Sequence, residues 1–410
     1  MISAFSILIV VVEVPLALAT LVLFIEVAAA IWTTQTDRLL RSDVERPSIV
    51  VLVPAHNEGS GLLPTLDDVM GQLNSGDRML VVADNCNDDT AGIARAAGAE
   101  VVERNDLANI GKGYALDFGL RYLKDDAPEV VIVVDADCRV EEGAINALAL
   151  TCGSSGRPVQ ALYLMTAPDK AVRTHRIAEF AWRIKNQLRP SGLATLGLPC
   201  QLAGSGMAFP RALIGAADLA TGHLAEDLDL GLQFARSGHA PLFCRAALVT
   251  SEFPTSDEAA AVQRQRWEHG HLAVILTRSL PLVGKGLRSS NWALVALSLD
   301  AAVPPLVLLG LLIASTFALS LSVVWVGGAV VPLVLSSVAL LLFAFGIVLA
   351  WAQKGRDLLS PTALISIFPY IGRKFGIYAR AFSSDKKWVR TDRDSPDRKI
   401  RASKADPNPP

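Results

Sequence analysis

Cysteine and charge are both scarce in this chain, and each shortage excludes something. The five cysteines, Cys86, Cys138, Cys152, Cys200 and Cys244, are odd in number, scattered and free of CxxC spacing. That argues against a structural zinc site and for a reducing, cytoplasmic setting. Charged residues make up only 19% of the 410, and the net charge of -2 leaves no basic field for nucleic acid. What replaces them is apolar: 51% hydrophobic residues and a mean hydropathy of +0.38. This exceeds an ordinary soluble enzyme, and the excess sits at the two ends.

Ile2 to Trp32 is a nearly continuous apolar run, long enough to cross a bilayer and longer than the apolar core of a cleaved signal peptide. Arg38, Arg41 and Arg46 follow it, so the positive-inside rule predicts an outer N-terminus and a cytoplasmic main domain. Glu13 and Glu26 interrupt the run; intramembrane carboxylates usually face protein or a polar cavity, and Glu26 is expected to snorkel to the nearby surface. Trp292–Leu319 and Val326–Trp351 are two more runs of bilayer length, flanked by Lys285 and Arg288 before and Lys354 and Arg356 after. Both flanks agree with the same orientation. Asp300, Pro304 and Pro305 break the first of these, a pattern expected to line a cavity. The stretch at 358–382 mixes apolar patches with Arg373, Lys374 and Arg380 and reads as interfacial. The tail from Ser383 is charged, and mobility is expected of it.

Between Pro47 and about Ala260 strands alternate with helices, which predicts an α/β domain with a mostly parallel sheet. Its centre is Val130–Val140, where five β-branched residues in a row read as a strand buried on both faces. The run ends in Asp135 and Asp137, placed on one side of the chain by alternation, with Ala136 between. Ligands bind beyond the carboxyl ends of such strands, and two hard carboxylates there suit Mg²⁺ or Mn²⁺ shared with phosphates. A solvated strand end explains Asp-x-Asp alone equally well.

Other segments fall where ligand contacts belong. Pro54-Ala55-His56-Asn57-Glu58 follows the first strand, and the acidic loop from Asp84 to Thr90 follows the second. Asn109-Ile110-Gly111-Lys112-Gly113 opens a helix, where amides and a lysine meet anions, without the spacing of a P-loop. Ala203–Phe209, with Gly204, Ser205 and Gly206, reads as a glycine-loosened strand open to close ligand approach. Glu226, Asp227 and Asp229 crowd the first turn of a helix; capping alone would account for them. Gln263, Arg266 and Trp267 share a helix face that offers an amide, a guanidinium for diphosphate and an indole for a sugar. The same helix also fits a membrane surface.

Five signals in this order, the Val-Pro-Ala-His-Asn-Glu loop, the Asp84 loop, Asp135-Ala-Asp137, Glu226-Asp227 and Gln263-x-x-Arg266-Trp267, resemble a membrane-bound family 2 glycosyltransferase with a GT-A domain. Ala-Asp-Asn-Cys and Gly-Lys-Gly-Tyr-Ala-Leu-Asp most resemble its bacterial exopolysaccharide branch. The resemblance implies donor contacts from Pro54, His56, Glu58, Asp84, Lys112, Asp135, Gln263 and Arg266, with Asp84 at the uracil or ribose. It further implies a metal on Asp137 and Asp135, catalysis by Asp227 with Glu226, and acceptor contacts from Trp267, Gly204 and Ser205. The usual Thr-Glu-Asp is Ala225-Glu226-Asp227 here, and the paired acid after the second strand is Ala83-Asp84.

The implied layout is an N-terminal membrane helix at 1–35, a cytoplasmic GT-A domain at 47–255 and interfacial helices at 256–290. Two membrane helices at 291–352, an interfacial segment at 353–382 and a charged tail at 383–410 complete it. The implied activity is inverting, metal-dependent transfer from a UDP-sugar, or a GDP-sugar, to a lipid-linked or polysaccharide acceptor at the cytoplasmic face of a bacterial inner membrane. A processive synthase is the alternative, faintly supported by Lys387–Thr391; an inactive nucleotide-sugar sensor or scaffold is more remote.

Overall fold

The computed structural model describes residues 4–33, 45–124, 128–168, 173–220 and 225–365. Most of the stretch expected at 358–382, and Lys387–Thr391, lie outside them. The chain divides into two compact units. One comprises residues 34–168, 201–264 and 389–410; the other comprises 1–33, 169–200 and 265–388.

The first unit is built on an eight-stranded sheet. Its strands are β1 (Ile49–Ala55), β2 (Arg78–Asp84), β3 (Glu100–Arg104), β4 (Val130–Val133), β5 (Arg139–Val140), β6 (Val159–Thr166), β7 (Met207–Pro210) and β8 (Leu242–Glu252). The order is β3-β2-β1-β4-β7-β6-β8-β5. The half containing β1 to β4 is parallel, as the Val/Ile-rich runs require, and β1 and β4 are buried nearly throughout. The other half is not: β7 runs antiparallel to both β4 and β6, and β5 antiparallel to β8. The sheet is therefore mixed. Leu52, Leu80, Val131, Phe209 and Phe234 meet in its core.

Two local expectations change. The central strand stops at Val133, so Asp135 and Asp137 stand on a turn and not on a strand's alternating face. That turn is fixed from below by Thr65, whose Oγ1 lies 2.8 Å from the Ala136 carbonyl and 2.6 Å from that of Cys138. Gly204, Ser205 and Gly206 form a bend ahead of β7, with Gly204 at φ +92° and Gly206 at φ +65°. These left-handed angles are open to glycine at no steric cost.

Among the described residues the second unit holds three helices long and apolar enough to cross a membrane: Ser6–Trp32, Leu306–Trp325 and Val331–Lys354. Trp292–Ala301 is a separate short helix, because Pro304 and Pro305 cannot continue it. The first span packs along the last, with Phe24 on Phe345 at 5.8 Å, and Gln353 donates to the Val27 carbonyl (3.1 Å). Glu13 accepts from Ser320 (2.7 Å), so this carboxylate faces protein.

Glu26 does not snorkel. It is 2% exposed and accepts from Arg189 Nε (2.6 Å), whose Nη2 pairs with Asp300. Burying a carboxylate is costly unless it is paired, and Arg189 supplies the partner for both acids. The helix carrying Arg189 (Arg189–Thr195) lies so close to the first span that a Cβ on Gly192 would stand 1.8 Å from the Glu26 carbonyl oxygen.

Candidate active site

The first unit gathers acids and one lysine beyond the carboxyl ends of its parallel strands, where open α/β sheets bind ligands. After β1, His56 Nδ1 lies 2.6 Å from the Asp84 carbonyl. A carbonyl only accepts, so Nδ1 carries the proton of this contact. Asn57 turns left-handed (φ 55°), and Thr90 Oγ1 accepts from the amides of Glu58 and Gly59, both at 3.0 Å. Pro54 sits within β1, paired with Val82.

Asp84 closes β2 and is largely buried. Its Oδ1 accepts from Arg104 (2.7 Å) and from Asn85 (3.0 Å). Asp84 and Arg104 are direct cross-strand partners in the β2–β3 ladder. Arg104 also reaches Asp106 (2.9 Å) and stands 5.5 Å over the Tyr114 ring. The acid thus comes with a fixed cationic neighbour.

Lys112 begins its helix (Lys112–Tyr122) and turns its ammonium into the acids. It pairs with Asp135 and donates to the Gly204 carbonyl at 2.6 Å. Burial opposes its charge, but Asp135, Glu226 and Asp227 together outweigh burial and hold its pKa above the ordinary lysine range. Burial, and then the charge of Asp227, push Glu226 up to about 7 against the pull of Lys112. Both begin the helix Glu226–Arg236, and Asp227 Oδ1 accepts from the Leu228 amide at 2.8 Å.

Beneath these groups lies a clamp with no sequence signal. Gln160 is buried, donates to the Ser205 carbonyl (2.9 Å) and accepts from the Ala203 amide (2.8 Å). Ser205 Oγ accepts from the Asp135 amide (3.0 Å) and donates to Cys138 Sγ (3.2 Å). A single buried amide therefore sets the 203–205 bend, and the bend sets Asp135. Gln160 is the second residue of β6, and only the antiparallel β6–β7 register, invisible in a one-dimensional pattern, brings it there.

Asp135, Asp137 and Cys138 present ligand atoms all within 4.8 Å of one another. Burial, reinforced by the charge of Asp135, pushes the Cys138 thiol up to about 12, so it stays protonated. The usable donors are the two carboxylates, hard ligands that fit Mg²⁺ or Mn²⁺ better than zinc.

The motif at 263–267 lies on the helix Asp257–Val274. Gln263 belongs to the first unit and is buried, with Oε1 unpartnered. Arg266 and Trp267 belong to the second, where Trp267 stacks on Trp182 at 5.0 Å, tilted by 43°. Lys185 stands 5.5 Å over the Trp182 ring.

This geometry agrees with the family to which the sequence compares. The profile described as glycosyltransferase like family 2 matches residues 47–270, more than half of the 410, and the chain belongs to that family. The mixed sheet is its GT-A fold. Over 251 residues the chain is 28% identical to the probable glycosyltransferase YdaM of Bacillus subtilis, covering 57% of each protein. Over 106 residues it is 37% identical to a 4,4'-diaponeurosporenoate glycosyltransferase of Staphylococcus haemolyticus, covering 25% of this chain and 27% of that one. The matches thus span little more than half, and about a quarter, of those relatives' lengths. A mannosyltransferase of Pyrobaculum calidifontis, solved with GDP-Man and Mn2+, aligns at a TM-score of 0.48 and 17% identity over 85% of this chain and 98% of that one.

Proposed function

We propose that the protein is an inverting, metal-dependent glycosyltransferase that moves a sugar from a nucleotide-sugar donor, a UDP-sugar before a GDP-sugar, onto a lipid-linked or polysaccharide acceptor. The cytoplasmic face of a bacterial inner membrane is its place, and exopolysaccharide assembly its setting. The observation that carries this reading is the cluster of Asp135, Asp137, Lys112, Glu226 and Asp227 on one side of the sheet.

Asp137 and Asp135 hold Mg²⁺ or Mn²⁺, which offsets charge on the departing diphosphate. Pro54, His56, Glu58 and Asp84 border the nucleoside. Lys112, Gln263 and Arg266 address the diphosphate, and Trp267, Gly204 and Ser205 border the acceptor. Asp227 takes the proton from the acceptor hydroxyl as it attacks opposite the leaving group, so the anomeric configuration inverts. Glu226 is neutral at its side over part of the working pH range, which spares Asp227 a second adjacent charge.

The three long apolar helices support membrane attachment, and the basic flanks support a cytoplasmic catalytic unit. The three such helices among the described residues offer little wall for a polymer channel, which favours one or few transfers over extrusion.

The test is product analysis after incubating membranes with labelled UDP- and GDP-sugars, with and without EDTA. Chelation is expected to abolish transfer and Mg²⁺ or Mn²⁺ to restore it; full activity in chelator would remove the metal from the reading. Reporters at Met1 and Pro410 are expected on opposite sides of the membrane.

A further inference from the structure

Lys112 is placed as no simple phosphate ligand would be. Its ammonium pairs with Asp135, donates to the Gly204 carbonyl at 2.6 Å, and lies in the fields of Glu226 and Asp227. A Cβ on Gly204 would stand 3.4 Å from Asp227 Oδ2 and 3.9 Å from Lys112 Nζ. Donor-side acid, acceptor-side acid and ammonium therefore converge at one glycine. Asp135 has its charge compensated from within the protein, while Asp137 lies two residues on in the same cluster.

We propose that Lys112 is a tethered counter-ion: it holds Asp135 against capture of a free divalent cation and yields it when a nucleoside diphosphate draws the ammonium onto its phosphates, so cation and nucleotide bind cooperatively. This rests on the reading of Asp135 and Asp137 as cation ligands. Two physical points support it. A divalent cation brought beside an ammonium is repelled, more strongly in a half-buried site than in water. An ammonium on a flexible four-carbon stem can leave one carboxylate for a nearby phosphate without moving backbone, which a bidentate guanidinium does less readily. Any ligand that removes the ammonium from Asp135 then raises cation affinity, and by linkage the cation raises affinity for that ligand equally.

Lys112 acts on the cation through Asp135 and is a positioning residue toward it, so the readout is binding and not turnover. The full-length protein in detergent is titrated with Mn²⁺, followed by electron paramagnetic resonance of the free ion, alone and with UDP or GDP. Wild type is expected to bind Mn²⁺ weakly alone and about 10-fold or more tighter with the nucleotide. Lys112→Met removes the charge and keeps the stem. It is expected to bind Mn²⁺ alone about 10-fold tighter than wild type and to lose most of the nucleotide effect. Lys112→Arg, whose guanidinium keeps the charge but leaves Asp135 less readily, is expected to bind Mn²⁺ alone as weakly as wild type and to show a smaller nucleotide effect. Lys112→Gln replaces Lys112→Met should the latter not fold, judged by thermal melting. A charge-removed variant that binds Mn²⁺ alone no tighter than wild type overturns the proposal and leaves the metal reading standing. Mn²⁺ binding unchanged in Asp137→Asn, or absent from wild type even with nucleotide, removes the metal reading and this proposal with it.

Discussion

The molecule contains two charge clusters that look alike in outline and differ in every detail that matters. In the sheet unit one lysine faces Asp135, Glu226 and Asp227; in the unit of long apolar helices one arginine joins Glu26 and Asp300. The lysine pair is 21% and 29% exposed, whereas Arg189, Glu26 and Asp300 are 9%, 2% and 4% exposed. A guanidinium has donors in a fixed fork and satisfies two acids at once, which suits a joint that must not open. A single ammonium on a flexible stem suits a site whose partners change when substrate enters. Choice of cation and degree of burial are the two features that tell these clusters apart.

That distinction breaks first at Asp227. Asp227→Asn keeps size and most hydrogen bonding but cannot take a proton, so turnover is expected to fall by about 10² to 10⁴. Nucleotide affinity and thermal stability are expected to stay near wild type. If turnover is unchanged, the role of base passes to Glu226 or Asp229 and the assignment of the site reopens. The converse variant is Arg189→Met. It strands two buried carboxylates and is expected to cost about 3–5 kcal/mol of stability in the unit of long apolar helices. Adding Glu26→Gln and Asp300→Asn is expected to recover most of that loss, because the cost lies in uncompensated charge. Thermal unfolding of the single and triple variants in detergent checks both statements.

Much of the sheet unit was legible beforehand, and the rest failed for identifiable reasons. Strands β1, β2 and β4 announce themselves as short Val/Ile/Leu-rich runs, and Asp84 ends β2 while Asp135 and Asp137 follow β4. β8 does not: Arg245, Ala246 and Ala247 interrupt its pattern, and there the β6–β8 register jumps, from Ala161 opposite Cys244 to Leu162 opposite Leu248. A bulge erases the period that a reader relies on. The Asp84–Arg104 pair was recoverable in principle, since parallel alignment of β2 with β3 sets them opposite one another. Arg189 was not, because its partners lie 163 and 111 residues away on apolar helices, a distance no local pattern spans.

The unit of long apolar helices has a second buried polar group whose behaviour sharpens the contrast. His271 Nε2 lies 2.9 Å from the Ala301 carbonyl, and burial, then Lys185, lower its pKa from 6.5 to about 4. The unfolded chain takes up a proton near pH 6.5 that the folded chain refuses until about 4. Stability is therefore full above 6.5 and lost as pH falls through that window. The 2.5-unit gap corresponds to about 3 kcal/mol, and His271→Gln is expected to flatten this part of the profile. Melting temperatures from pH 7 to 4 for both proteins measure it. Equal acid sensitivity would place the loss elsewhere.

The smallest expected effect tests whether the lysine cluster has a structural floor. Gln160→Met is close in volume but cannot bond the Ala203 amide or the Ser205 carbonyl. Leaving those two groups unpaired costs about 1–3 kcal/mol each where water cannot reach them, and less where the bend relaxes. Relaxation is the informative outcome, because Ser205 also accepts from the Asp135 amide and Gly204 accepts from Lys112. A relaxed bend is expected to raise the acceptor KM several-fold and to weaken nucleotide binding as well, because Asp135 and Lys112 hang on the same bend. Gln160→Glu, which buries an unpaired carboxylate against the Ser205 carbonyl, is expected to disturb the bend more than Gln160→Met. Should Gln160→Met lose stability with acceptor and nucleotide binding both intact, the clamp holds the sheet and not the site, and the 203–205 bend drops out of acceptor recognition.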